Sequence, residues 1–257
     1  RVENIIEKAV RRIPKNYPTH STRYRGFYRE SKTDENQQYV YMAEGVLDVH
    51  KNSYQNKRDG ELSLIEGRKV DLVPTDSMRN VGFTSGHWSP HRFDFVKNRE
   101  DFIDRRYFPV YKYWLSGITE YNGRPVYVIS FDKDEEAEAI QVEAKQTPGG
   151  GIFKALSKLQ RKKKVSDHAR MKGKVYIDTL SYAFLRGEFE FRPEALDRRN
   201  NYPLYVGNWK GNKYVVNYRQ LGDLWYYSES LREGLYRDGG LYSNEFVITE
   251  IDCLVFV

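Results

Sequence analysis

Cysteine is nearly absent from this chain. A single residue, Cys253, stands in 257, so no intramolecular disulfide forms and no cysteine cluster exists to hold zinc. Cys253 falls in the alternating apolar run 246–257, where a buried packing thiol is expected. Long apolar runs are missing too: with a mean hydropathy of -0.77, no segment approaches the roughly 18 residues that mark a membrane-spanning helix. Histidine is scarce at 5 residues, and no Gly-x-Ser-x-Gly or phosphate-loop pattern occurs. These shortages argue against cysteine-metal, serine-hydrolase and P-loop chemistry. No secretion signal is visible from Arg1 onward, and the chain reads as an excised piece of a longer protein.

Aromatic residues are plentiful. There are 21 Tyr, 13 Phe and 4 Trp, 15% of the chain, which excludes wholesale disorder because such residues offset the entropy of ordering. The net charge of +6 is concentrated: 152–174 holds nine basic residues against one acid, so that segment is +8 and the remainder −2. A basic global pI therefore says little about nucleic acid, whose binders spread Lys and Arg along a face, and no nucleic-acid partner is expected.

Helical spacing is clear at Val2–Ile13, where Val2, Ile5, Ile6, Ala9, Val10 and Ile13 share a face and Pro14 is expected to stop the helix. Asp94–Ile103 carries a weaker helical pattern. Elsewhere the period is two. Arg23–Glu30, Tyr39–His50, Leu62–Ile65, Tyr111–Tyr121, Arg124–Phe131, Lys174–Asp178, Tyr182–Arg192, Lys213–Arg219, Leu224–Leu231 and Phe246–Val257 read as strands. Asn122-Gly123 supplies the positive φ of a tight hairpin turn. One apolar and one wet face per strand indicates antiparallel pairing. The expected fold is α+β, mainly β: a curved antiparallel sheet, a half-barrel, with an N-terminal helix and few others. A single domain spanning 1–257 is expected, with a mobile basic insertion at about 132–173.

Candidate sites follow from this pattern. Strand aromatics Tyr111, Tyr113, Trp114 and Tyr127 are expected to line an apolar ligand cavity, since Tyr and Trp pair a large ring with a polar tip. Ile152, Phe153, Leu156 and Leu159 alternate with basic residues including Lys158, Lys162 and Lys163, the composition of an interfacial helix that meets a membrane surface or an acidic partner. His87 and His91 stand at i, i+4 with Pro90 between them, read as loop residues that do not share a metal. Glu188/Glu190 and Glu250/Asp252 read as outward strand carboxylates. No catalytic residue, metal or cofactor is expected.

Several phrases resemble a known family. Glu3-Asn4-Ile5-Ile6-Glu7-Lys8-Ala9 with Ile13-Pro14-Lys15-Asn16-Tyr17, Phe27-Tyr28-Arg29-Glu30, Ala43-Glu44-Gly45-Val46-Leu47-Asp48-Val49, Gly67-Arg68-Lys69, Tyr127-Val128-Ile129-Ser130-Phe131, Gly173-Lys174-Val175-Tyr176-Ile177-Asp178-Thr179 and Tyr182-Ala183-Phe184 are similar to the region that follows a small β-sandwich in Bacteroidetes proteins labelled carboxypeptidase regulatory-like domain-containing. The resemblance implies export to the periplasm or an association with the outer membrane, and carries over no catalytic residue. Gly173, Tyr176-Ile177-Asp178-Thr179, Ala183 and Arg186 also resemble a hairpin of the lipoprotein carriers LolA and LolB, which implies a curved antiparallel half-barrel with helices packed in its concavity. The function expected is a non-enzymatic binding or scaffold domain of the envelope, with a lipid or other apolar ligand. The alternatives are a hydrolase of an envelope polymer and, more weakly, a nucleic-acid binder.

Overall fold

The computed structural model describes residues 1–56, 58–71, 86–135, 169–201 and 209–252. Ten strands run β1 Thr22–Thr33, β2 Tyr39–Lys51, β3 Glu61–Asp71, β4 Tyr111–Tyr121, β5 Arg124–Lys133, β6 Met171–Asp178, β7 Phe184–Phe191, β8 Trp209–Leu221, β9 Leu224–Tyr236 and β10 Leu241–Asp252. They form one sheet in the order β3-β2-β1-β10-β9-β8-β7-β6-β5-β4, antiparallel at every pairing. Consecutive strands pair with one another except β3 and β4, which stand at opposite ends, and β1 pairs with β10. The sheet is open, and among the described residues β3 and β4 are its edges.

The sheet is also strongly curved. The Tyr121 hydroxyl on β4 donates to Asn217 Oδ1 on β8 at 3.0 Å, although three strands lie between them. In a flat sheet those strands would stand about 19 Å apart, so β4–β8 must curl towards each other on that face.

The opposite face of the sheet carries the helices. Two helices open the chain, α1 Val2–Arg11 and α2 Ile13–Asn16. The expected stop at Pro14 is a break of a different kind: the helix ends at Arg11, and Pro14 occupies the first turn of α2, where its missing N–H is not needed. Ile6, Ala9 and Ile13 are fully buried. The pair docks on the β6–β7 turn, where Asn16 Nδ2 donates to the Ser181 carbonyl at 3.0 Å and Lys8 Nζ lies 3.8 Å from the centre of the Tyr182 ring.

Among the described residues three short helices follow: α3 Ser89–Arg92, α4 Phe95–Asn98 and α5 Pro193–Asn200. The sequence pattern over Asp94–Ile103 therefore resolves into α4 and a 3-10 turn at Asp101–Ile103, because Arg99 adopts a left-handed φ of 52° between them. Those two turns drive Phe95 and Phe102 into the sheet. Phe102 stacks on Phe131 at 4.4 Å, while Phe95 meets Phe184 and Phe189 edge-on. All five rings are buried, and each such side chain contributes about 1.5–3 kcal/mol. Leu196 of α5 packs in a satellite cluster with Trp209, Tyr236 and Tyr242.

The hairpin at Asn122-Gly123 forms as its sequence requires, with φ of 51° and 73° at the two positions and β4 paired to β5 on either side. The strand read at Leu62–Ile65 is longer, extending over the whole of β3. Residues 253–257, including Cys253, lie outside the described residues.

Candidate ligand trough

The helix-bearing face is occupied by its own side chains. At its centre Lys51 and Asp94, both with fully buried side chains, form an ion pair at 2.8 Å. Asp94 caps α4 by accepting from Lys97 N at 3.0 Å. It also accepts from the Tyr54 hydroxyl at 2.8 Å and the Tyr218 hydroxyl at 2.7 Å. Burial raises the carboxyl, but Lys51 and these donors outweigh it, so Asp94 titrates below the usual carboxylate range. Burial holds Lys51 below its usual value; it also donates to the Pro90 carbonyl and lies 4.5 Å from the Tyr227 ring centre. With partners this complete, the pair pins α4 to the end of β2. Asp94 sits just before an apolar stretch, the usual cap signal; nothing local to Lys51 marks it as the partner.

Tyr17 is a second pin. Its hydroxyl donates to the Phe184 carbonyl at 2.8 Å and accepts from Phe184 N at 2.9 Å, tying the end of α2 to the start of β7.

Tyr111, Tyr113 and Tyr127 belong to this same helix-bearing face. Tyr111 and Tyr113 are buried, the latter donating to the Phe102 carbonyl at 3.0 Å, and half-buried Tyr127 lies 6.2 Å from Tyr182. Trp114 projects from the other face, 43% exposed. The structure does not bring the four aromatics together, because adjacent residues of a strand point to opposite faces. His87 and His91 sit in a 3-10 turn and in α3 rather than an irregular loop. Pro90 is tolerated in the first turn of α3, and the two rings flank Trp88 at 6.2 and 5.4 Å. Among the described residues no group of three or more His, Cys, Asp or Glu is placed to hold a metal. Ile152, Phe153, Leu156, Leu159, Lys158, Lys162 and Lys163 lie outside the described residues.

Trp114 leads to the open site. On the face away from α1, the curl of β4–β8 encloses a trough of about 420 Å³. One wall is Trp114. The floor is laid by register: Trp114 pairs with Ser130, Ser130 with Lys174, Lys174 with Glu188 and Glu188 with Val215. The adjacent row runs Lys172, Glu190, Lys213, with Asp132 beside it among the lining residues. Lys172 pairs with Glu190 at 3.1 Å. Glu188 accepts from Arg186 at 2.7 Å and from the Tyr176 hydroxyl at 3.1 Å, and burial, then Glu188, raises the Tyr176 phenol. Beyond the floor, Tyr121 packs on Tyr176 at 5.9 Å where it bridges to Asn217.

Such a floor is rich in donors and acceptors held on rigid strands, with one large ring presented to solvent.

No protein-family model and no curated protein sequence matches the chain. Solved structures similar to it include a domain of an outer membrane lipoprotein-sorting protein from Vibrio parahaemolyticus, at 12% identity over 98% of this chain and 93% of that one with a TM-score of 0.39. A DUF1329 family protein from Desulfovibrio piger aligns at 11% identity over 100% and 94%, TM-score 0.40. A LolA superfamily protein from Nitrosomonas europaea aligns at 12% over 97% and 91%, TM-score 0.30. Likeness at this level carries no weight for the site, which rests on the geometry of this chain.

Proposed function

We propose that this chain is a non-enzymatic binding domain of the cell envelope, and that its ligand occupies the trough on the face away from α1. The observation that carries this is Trp114: a large ring, 43% exposed, at the wall of a 420 Å³ depression in a sheet whose other face is filled. Exposed aromatics beside convergent polar groups mark binding sites. An apolar cavity between sheet and helices is not where this reading places the ligand, since Phe95 and Phe102 fill that space. The test is calorimetric titration of the wild type and Trp114→Ala with soluble glycans, phospholipid vesicles and extended peptides. Binding by one of these classes, abolished in Trp114→Ala with unchanged melting behaviour, supports the site. Binding that survives the substitution, or none at all, refutes it.

The envelope location rests on the family resemblance of the sequence, and fractionation of the native host tests it. The +8 segment suggests a contact with an anionic membrane surface through Ile152, Phe153, Leu156 and Leu159 with Lys158, Lys162 and Lys163; each basic residue near such a surface contributes about 1 kcal/mol. Flotation with anionic liposomes tests it, and a protein that stays unbound at low salt rules it out.

A further inference from the structure

We propose that the trough receives a neutral, polyhydroxylated chain, that is, a carbohydrate. This rests on the binding site above and names its ligand class.

The argument starts from charge. Lys172, Lys174 and Lys213 line the trough with Asp132, Glu188 and Glu190, and at its margin Arg186 pairs with Glu188 and Arg192 with Asp132, Glu135 and Glu194, five cations against five anions. The lining charges alternate from strand to strand, Lys172 against Glu190 and Glu190 against Lys213, with Lys174 against Glu188 in the next row. A polyanion or a polycation meets as much repulsion as attraction on such a surface. An acyl chain would strip water from six ionised groups and return no hydrogen bond to any of them, a heavy penalty. A hydroxyl group both donates and accepts, so a row of hydroxyls satisfies ammonium and carboxylate alike without a charge of its own. Lys174 and Lys213 are exposed, and neither has an ion-pair partner among the described residues, so their donors are available.

Trp114 supplies what charge cannot. The C–H face of a sugar ring is flat and apolar, and an exposed indole covers it while the hydroxyl edge stays directed at the floor. Tyr121 and Tyr176, packed at 5.9 Å further along the same face, offer a second aromatic surface. The trough is open to solvent and its volume lies within the range of small-ligand sites, which suits a few units of a chain.

The experiment uses the whole chain and four probes: neutral hexasaccharides of glucose and of N-acetylglucosamine, a hexasaccharide of galacturonate, and mixed phosphatidylcholine–phosphatidylglycerol vesicles. Calorimetric titration is run at low and high salt on the wild type, Trp114→Ala, Trp114→Phe and Lys174→Met. The expected result is binding of a neutral hexasaccharide that is insensitive to salt. It should weaken roughly tenfold or more in Trp114→Ala, recover in part in Trp114→Phe, and weaken in Lys174→Met. Preference for galacturonate with steep salt dependence overturns the ligand class. Binding of vesicles alone, lost in Trp114→Ala, overturns the ligand class and leaves the site standing. Neutral-sugar binding untouched by Trp114→Ala places the sugar elsewhere and refutes the site. If no probe binds, both readings fail. The exposed Lys174→Met variant keeps the test decisive should Trp114→Ala lose its fold.

Discussion

His91 makes the stability of this fold depend on pH. Its side chain is fully buried, Nε2 lies 3.3 Å from the Glu61 carbonyl, and Nδ1 has no hydrogen-bond partner. Burial, and then the Lys51 ammonium, push the imidazole down from 6.5 to about 4. In the unfolded chain it takes up a proton near pH 6.5; in the folded protein it does so only near 4. Between these values the unfolded state binds the extra proton, so stability falls as pH falls through the window. The slope is about 1.4 kcal/mol per pH unit, so a drop to about pH 5 removes about 2 kcal/mol. Glu100 works against it. Burial and Asp101 raise that carboxyl to about 7, so its contribution to stability declines as pH rises through the same window, and the curve of the whole protein understates the effect of His91. The difference between wild type and His91→Gln cancels Glu100. Urea denaturation at about pH 7 and about pH 5 should show the wild type losing about 2 kcal/mol more than the variant, with unchanged m-values. Equal losses in the two proteins would refute the reasoning, whatever the absolute cost of His91→Gln.

The remaining predictions concern the pins of the fold. Lys51→Met leaves Asp94 ionised and buried, and should cost about 3–5 kcal/mol at neutral pH by urea titration; a cost under about 1 kcal/mol would mean that solvent reaches the pair. Tyr17→Phe removes the hydroxyl that serves both backbone groups of Phe184 and should cost about 1–3 kcal/mol, with faster amide exchange at Phe184 N as its local signature. Gly86→Ala would place a methyl 2.0 Å from Glu30 Oε2 and 2.6 Å from the Tyr28 hydroxyl. These atoms end side chains, but the Tyr41 and Tyr242 hydroxyls both donate to the buried Glu30 carboxylate and hold it in place, so a lowered melting temperature and about 1–3 kcal/mol of lost stability are expected. A melting temperature equal to that of the wild type would show that the turn at Gly86 shifts freely.

Local repetition in the sequence was enough to determine the strands, their antiparallel pairing and the amphipathic opening helix. Side chains alternate across a strand whatever it pairs with, so Tyr111 and Tyr113 were bound to share a face. The same rule already separates Trp114 from Tyr113, and grouping them in one cavity overlooked it. Asn122-Gly123 likewise dictated its turn through backbone sterics alone. Only the tertiary structure decided that β1 pairs with β10, that Lys51 meets Asp94 across 43 positions of chain, and that β4 curls towards β8. Those outcomes depend on which distant segments bury each other's apolar faces, and no period within one segment encodes them. The trough follows from that curl: its charges stand on strands that the sequence reveals one at a time, and the balance among them exists only once the strands lie side by side.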